Sequence, residues 1–186
     1  MWTKETRRWL ERAVPRLFGH SSRQRKRSLL ADVALGALAG GIGKLAMSAV
    51  CGAVRRLERQ DQVRFENALR NGADPATRLA LKLAKSVGAE LSSESACKVG
   101  TALGWGGAFG EGALYGLVRH FAPRVSAGMG LLFGTLSWAL FNEGLPAAFA
   151  LSPPWRRLPW VTHARGLAGH LAYGAAIEGT RRTFLS

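Results

Sequence analysis

An all-α fold is expected of this 186-residue chain: a polytopic membrane bundle of four transmembrane helices behind a basic amphipathic N-terminal helix. Four long apolar stretches rich in Gly and Ala run from Leu29 to Val54, Val99 to Val118, Val125 to Leu151 and His163 to Thr180. A run of about 20 apolar residues, at 1.5 Å of rise per residue, matches the hydrocarbon thickness of a bilayer. Glycines recur at four-residue spacing, at Gly36/Gly40, Gly100/Gly104, Gly106/Gly110, Gly112/Gly116 and Gly130/Gly134. Small residues so placed let membrane helices pack backbone against backbone. The mean hydropathy of +0.01 mixes these stretches with strongly basic connections.

Residues 1–28 carry nine Lys/Arg against two acidic residues and end in Arg23-Gln24-Arg25-Lys26-Arg27, directly before the first apolar stretch. With a net charge of +14, nucleic acid is the first partner to weigh. The position of the cluster argues against it, because a basic flank beside a span marks the cytoplasmic side. Anionic lipid headgroups are the partner that such a flank attracts. Within residues 2–18, Trp2, Trp9, Leu10, Val14 and Leu17 favour one side of a helix and Lys4, Arg7, Arg8 and Arg12 lie elsewhere. That pattern suits a helix lying in the membrane interface. The first apolar run exceeds a signal-peptide core and is interrupted by Lys44, so a retained anchor is expected.

Residues 29–184 form the membrane domain, with residues 55–98 as an extramembrane helical connection. Arg55 to Leu69 continues the first helix in polar form and breaks at Asn71-Gly72. Asp74-Pro75 starts another helix, with Leu79, Leu83 and Val87 on one face. The second span ends at Arg119-His120, and Ala122-Pro123-Arg124 turns the chain into the third. Pro153-Pro154-Trp155-Arg156-Arg157-Leu158-Pro159-Trp160 pairs aromatic anchors with basic residues, as an interfacial connection does. Four spans bring Arg181-Arg182 back to the side of the basic N-terminus, so both termini are expected in the cytoplasm. A faint echo links Gly110-Glu111 and Tyr115-Gly116 to Gly169-His170 and Tyr173-Gly174.

Charges inside the spans matter most, since a mid-bilayer charge costs several kcal/mol unless paired or hydrated. From the inner face, helical rise places Lys44 about 22 Å deep, Glu111 about 10–15 Å, His170 about 16 Å and Glu143 about 27 Å. Lys44, Glu111 and His170 are therefore the candidate intramembrane polar cluster, either pairing to fix helix register or relaying protons. Glu143, beside Gly144 and Pro146, suits a solvated helix end, and Glu178 suits an ion pair with Arg181 or Arg182 at i+3 or i+4. His120, His163 and His170 fall at different depths, and no Cys or carboxylate stands near them at metal-ligand spacing, so no metal is expected. No nucleotide loop, nucleophile elbow or HExxH motif is present, and neither an enzyme nor a cofactor is expected. Cys51 and Cys97 fall near the outer ends of adjacent spans, open either to a disulfide or to two free packing thiols.

The chain resembles the YagU-like family of bacterial inner-membrane proteins, a domain of unknown function. Gly43-Lys44-Leu45, Phe133-Gly134 through Trp138, and Gly169-His170, Tyr173-Gly174, Ile177-Glu178 and Arg181-Arg182 carry the likeness. Met47-Ser48 and Tyr173 depart from it. The resemblance implies a multi-pass inner-membrane location and no established activity. The sequence thus points to a non-enzymatic packed bundle with a polar core, in one copy or as a homo-oligomer. The alternatives are a proton- or small-ion-conducting protein using Lys44, Glu111 and His170, and a membrane-tethered binder of anionic lipid or nucleic acid through residues 1–28.

Overall fold

The computed structural model describes residues 28–185, and every regular element in that range is helical. The amphipathic helix expected over residues 2–18 and the cluster at 23–27 lie outside the described residues. Helix α1, Leu29–Leu57, begins where the Ser28 side chain accepts a hydrogen bond from the Ala31 amide and ends beyond Arg55 and Arg56. An N-cap hydroxyl, acid in the first turn and base in the last all favour this polarity. It is the one helix long and apolar enough to cross a membrane by length and composition among the described residues.

The connection differs from the expected single continuation. Glu58 and Arg59 are extended, so α2, Gln60–Leu69, is a separate helix. Asn71 and Gly72, both at positive φ, then turn the chain. Helix α3, Pro75–Ser86, opens as expected, with the Asp74 carboxylate accepting from the amides of Ala76 and Thr77. Its packed face is Thr77 and Ala80 rather than Leu79, Leu83 and Val87, the last two being exposed. Gly100 explains the choice: a methyl there would lie under 3 Å from the Thr77 backbone, so α3 seats its small residues on α4.

Helix α4, Ser93–Phe121, starts six residues before the expected boundary because Ser92 caps the Ser95 amide. The third apolar stretch starts later than expected. Pro123–Ser126 is a 3-10 turn, and Gly128, Met129 and Gly130 all take positive φ, so helix α5 begins at Leu131. It runs Leu131–Ser137, widens into a π-helical stretch at Trp138–Gly144, and closes with one turn, Leu145–Ala148. Helix α6, Trp160–Leu185, follows a short turn at Trp155–Arg157.

Glycines set the packing. Helix α1 packs along α4 and α6, and α5 along α6. A methyl at Gly36 would overlap the Gly112 carbonyl oxygen, one at Gly40 the Ala108 carbonyl, and one at Gly116 the Asp32 carbonyl. The second seam repeats this, with Gly130 against the Gly174 carbonyl and Gly134 against that of His170. Gly43 lies under the Tyr173 ring. Two of the five spaced pairs, Gly36/Gly40 and Gly112/Gly116, thus face one another, whereas Gly106/Gly110 meets open space.

The core is correspondingly small and aromatic: Ala39, Ala108, Tyr115, Phe133, Tyr173 and Ile177. Tyr115 and Tyr173, the two members of the sequence echo, flank the Phe133 ring at centroid distances of 4.7 and 6.4 Å. Large aliphatic side chains point the other way. Leu38 is 65% exposed, Leu45 59% and Leu136 57%, with Ile42, Phe109, Leu114 and Leu140 also exposed.

Candidate functional site

Polar groups collect at three levels of the bundle. At the end formed by the start of α1 and the ends of α4 and α6, two carboxylates are enclosed by bases. Asp32, placed in the first turn of α1, accepts from Arg181 Nη2 at 2.8 Å through Oδ1, while its carbonyl accepts from Arg181 Nη1 at 2.9 Å. Its Oδ2 lies 2.8 Å from His120 Nδ1. Glu178, fully buried, accepts from the Tyr115 hydroxyl at 2.6 Å and from Arg119 Nε at 3.0 Å. Arg182, one turn along α6, reaches the other Glu178 oxygen at 2.7 Å. The i+4 partner expected of Glu178 is therefore present, but Arg181 turns away from it to a different helix. Buried charges persist when paired and hydrogen-bonded, and here one network joins three helices.

The opposite end has its own network. Glu66 of α2 is buried among Arg55 of α1 at 2.6 Å, Arg70 at 2.9 Å and Arg165 of α6 at 2.8 Å. Arg165 also bonds Glu58. Burial alone would raise the Glu66 carboxyl, but hydrogen bonds and charge from Arg165, with Arg55 and Arg70, hold it down to about 2. Both cysteines are free thiols: Cys51 is partly buried and points at the Arg165 carbonyl, and Cys97 is exposed.

Between these ends lie Lys44, Glu111 and His170. Glu111 accepts a hydrogen bond from the Ser137 hydroxyl, joining α4 to α5. His170 Nδ1 is 2.8 Å from the Gly166 carbonyl one turn back on its own helix. Lys44 approaches α4 at Gly104 and lies near enough for its charge to act on both Glu111 and His170. It makes no hydrogen bond or ion pair among the described residues. Lys44 is thus within electrostatic range of the other two, and none of the three bonds another among the described residues. Tyr173 adds a hydroxyl bonded to the Ala108 carbonyl at 2.6 Å, a neighbour that spacing alone did not single out.

Glu143 lies in the π-helical stretch and is held, not simply solvated. Its Oε1 accepts from Asn142 Nδ2 at 2.9 Å and lies 2.9 Å from His163 Nδ1. His163 therefore does have a carboxylate neighbour, supplied by a helix 20 positions away and invisible to local spacing. No group of three potential ligands that would hold a metal occurs among the described residues.

Asp32, Arg119, Glu58, Glu66 and Arg165 went unrecognised as partners in the sequence. Each pairs across helices at separations such as 88, 99 or 107 positions, where no periodicity links them. A usable signal was the recurrence of opposite charges near both ends of the apolar stretches. Compared with protein-family models, curated proteins and solved structures, the chain has no match.

Proposed function

We propose that the protein is a non-enzymatic, multi-pass bacterial inner-membrane bundle in which α1, α4, α5 and α6 cross the bilayer and both termini face the cytoplasm. The surface carries the reading: most leucines, with Ile42 and Phe109, face outward, while Gly, Ala, Tyr and the charged pairs, with Phe133 and Ile177, face inward. A soluble bundle places its large aliphatic residues inside, because burying them stabilises it. In lipid that pressure vanishes, and close backbone approach with interhelical bonding takes over. Glycine lowers the hydropathy of α4, whereas that of α6 is lowered by His163, Arg165, His170, Glu178, Arg181 and Arg182. Membership of the YagU-like family belongs to this proposal and rests on the matched spacings alone. Anionic lipid beside residues 1–28 is its expected surface partner, and a homo-oligomer is compatible with it. Reporter fusions at Gly72 and Ser186 test the topology: an outside signal at Gly72 and an inside signal at Ser186 are expected, and an outside signal at Ser186 sinks it.

A second reading, proton or small-ion movement, is favoured by one observation. Lys44 makes no hydrogen bond or ion pair among the described residues, and its charge acts on both the Glu111 carboxyl and the His170 imidazole. An unpaired intramembrane charge is costly, and its retention points to use. In proteoliposomes, an imposed potential should drive proton flux that Lys44→Met abolishes. Flux equal to that of empty vesicles removes this reading.

A further inference from the structure

We infer that α3 lies in the membrane interface and docks on an anionic bilayer surface, an assignment that rests on the multi-pass reading of the chain. At about 100° per residue, the side chains of this helix sort into three groups. Thr77 and Ala80 are buried against α4, where Gly100 admits the Thr77 backbone. Leu79, Leu83 and Val87 continue the same apolar arc past the edge of α4, and Leu83 and Val87 are 50% and 79% exposed. Arg78, Lys82 and Lys85 make up the remaining side, and no acidic residue occurs between Pro75 and Ser86. A connection in water buries its large apolar residues first. Helix α3 buries a threonine and an alanine instead and leaves leucine and valine outside, as the proposed spans do.

The level of the helix suits an interface. It meets α4 at Gly100, beside the start of the second apolar stretch, and Lys82 Nζ donates to the Phe149 carbonyl at 2.6 Å, near the end of the third. Charge then selects the surface. Arg78 and Lys82 donate to the carbonyls of Arg70 and Phe149, both neutral oxygens, and Lys85 bonds none of the described residues. Three bases that no described carboxylate neutralises therefore flank the exposed leucine and valine. A helix of this pattern immerses its apolar side at the headgroup boundary and sets its bases against lipid phosphates. A second copy docked face to face on α3 would bring the same bases together, because a two-fold contact pairs a patch with itself.

Fluorescence quenching on the full chain in vesicles tests this. With Cys51→Ala and Cys97→Ser as background, a nitrobenzoxadiazole label is attached through Val87→Cys or, separately, through Leu136→Cys on the outward side of α5. In phosphatidylglycerol vesicles, lipids with nitroxides high in the acyl chain should quench the label at 87 more strongly than aqueous iodide does. Lipids with deep nitroxides should quench the label at 136. Replacing the lipid with phosphatidylcholine, or introducing Lys85→Glu, should weaken lipid quenching at 87 about twofold or more, while that at 136 stays unchanged and reports an intact fold. Quenching at 136 without lipid quenching at 87 overturns the docking of α3 and leaves the spans standing. Quenching at 87 alone upholds the docking and removes the spans, and quenching at neither removes both. A label at 87 shielded from lipid and iodide alike means that protein covers this side, which overturns the inference. Equal quenching at 87 in both lipids and in Lys85→Glu overturns the anionic partner.

Discussion

The ends of the bundle and its middle treat charge in opposite ways. At each end a buried carboxylate is surrounded by two or three bases drawn from different helices: Glu178 by Arg119 and Arg182, Glu66 by Arg55, Arg70 and Arg165. In the middle, among the described residues, Glu111 and His170 bond only a hydroxyl and a carbonyl, and Lys44 bonds none. A helix end can reach the interface, where solvated arginine stems cost little and can fold back over a carboxylate. The middle has no such reserve, so its polar groups are few, small in number of bonds, and available. Ion networks at both ends of a glycine-packed bundle fix helix register, which leaves the middle free to keep groups that packing does not need.

The largest expected loss comes from the end that holds Asp32 and Glu178. Arg181→Met leaves Asp32 buried beside His120 with its guanidinium partner gone, at a cost of about 3–5 kcal/mol, since removing one member of a buried pair strands the other. Thermal unfolding in maltoside detergent reads this directly. A loss under about 1 kcal/mol would mean that the Asp32 network is solvated and the contrast with the middle false.

At the end that holds Glu66 the signature is pH. Glu66 is lowered from an ordinary 4.5 to about 2, so its contribution is present above the unfolded value and fades as pH falls from about 5 toward 2. At neutral pH that contribution is roughly 2–3 kcal/mol. Glu66→Gln should therefore lower stability at pH 7 and flatten the decline between pH 5 and 2. A variant that keeps the full acid-induced loss would place the sensitive carboxyl elsewhere.

A smaller effect is expected in the middle. Ser137→Ala removes the donor to Glu111 and should cost about 1 kcal/mol, as a single hydrogen bond does. Gly106→Ala serves as the control, because nothing lies within 4 Å of a methyl there. Its stability should change by less than about 0.5 kcal/mol, or rise slightly through helix propensity. A large loss at Gly106 would reveal a helix packed on that face, and a second copy of the chain would be the first candidate.

Much of this architecture is legible in the residues. Asp74 caps its helix and Asn71-Gly72 makes its turn as the residues predict, because capping and turn chemistry act over three or four positions, whereas the Ser28 and Ser92 caps are not anticipated. The start of α5 was misplaced by six residues, since a run such as Val125 to Leu132 is apolar whether helical or not; only positive φ at Gly128, Met129 and Gly130 breaks it. Depth and charge alone single out Lys44, Glu111 and His170 in the sequence. Their bonding is not visible there, because a helical wheel does not say which neighbour a side chain meets. The α4 pairs Gly100/Gly104 and Gly106/Gly110 look alike in sequence, yet one touches α3 and Lys44 while the other faces outward.

The division between structural ends and an available middle is tested most directly by unfolding Glu178→Gln and Lys44→Met side by side in the same detergent. Glu178→Gln keeps the shape but removes the charge that Arg119 and Arg182 share, and a loss of about 3 kcal/mol or more is predicted. Lys44→Met removes an ammonium that bonds none of the described residues, so stability should stay within about 1 kcal/mol or increase. A Lys44 variant as destabilised as the Glu178 variant would show that the middle holds the bundle together, and would contradict the account.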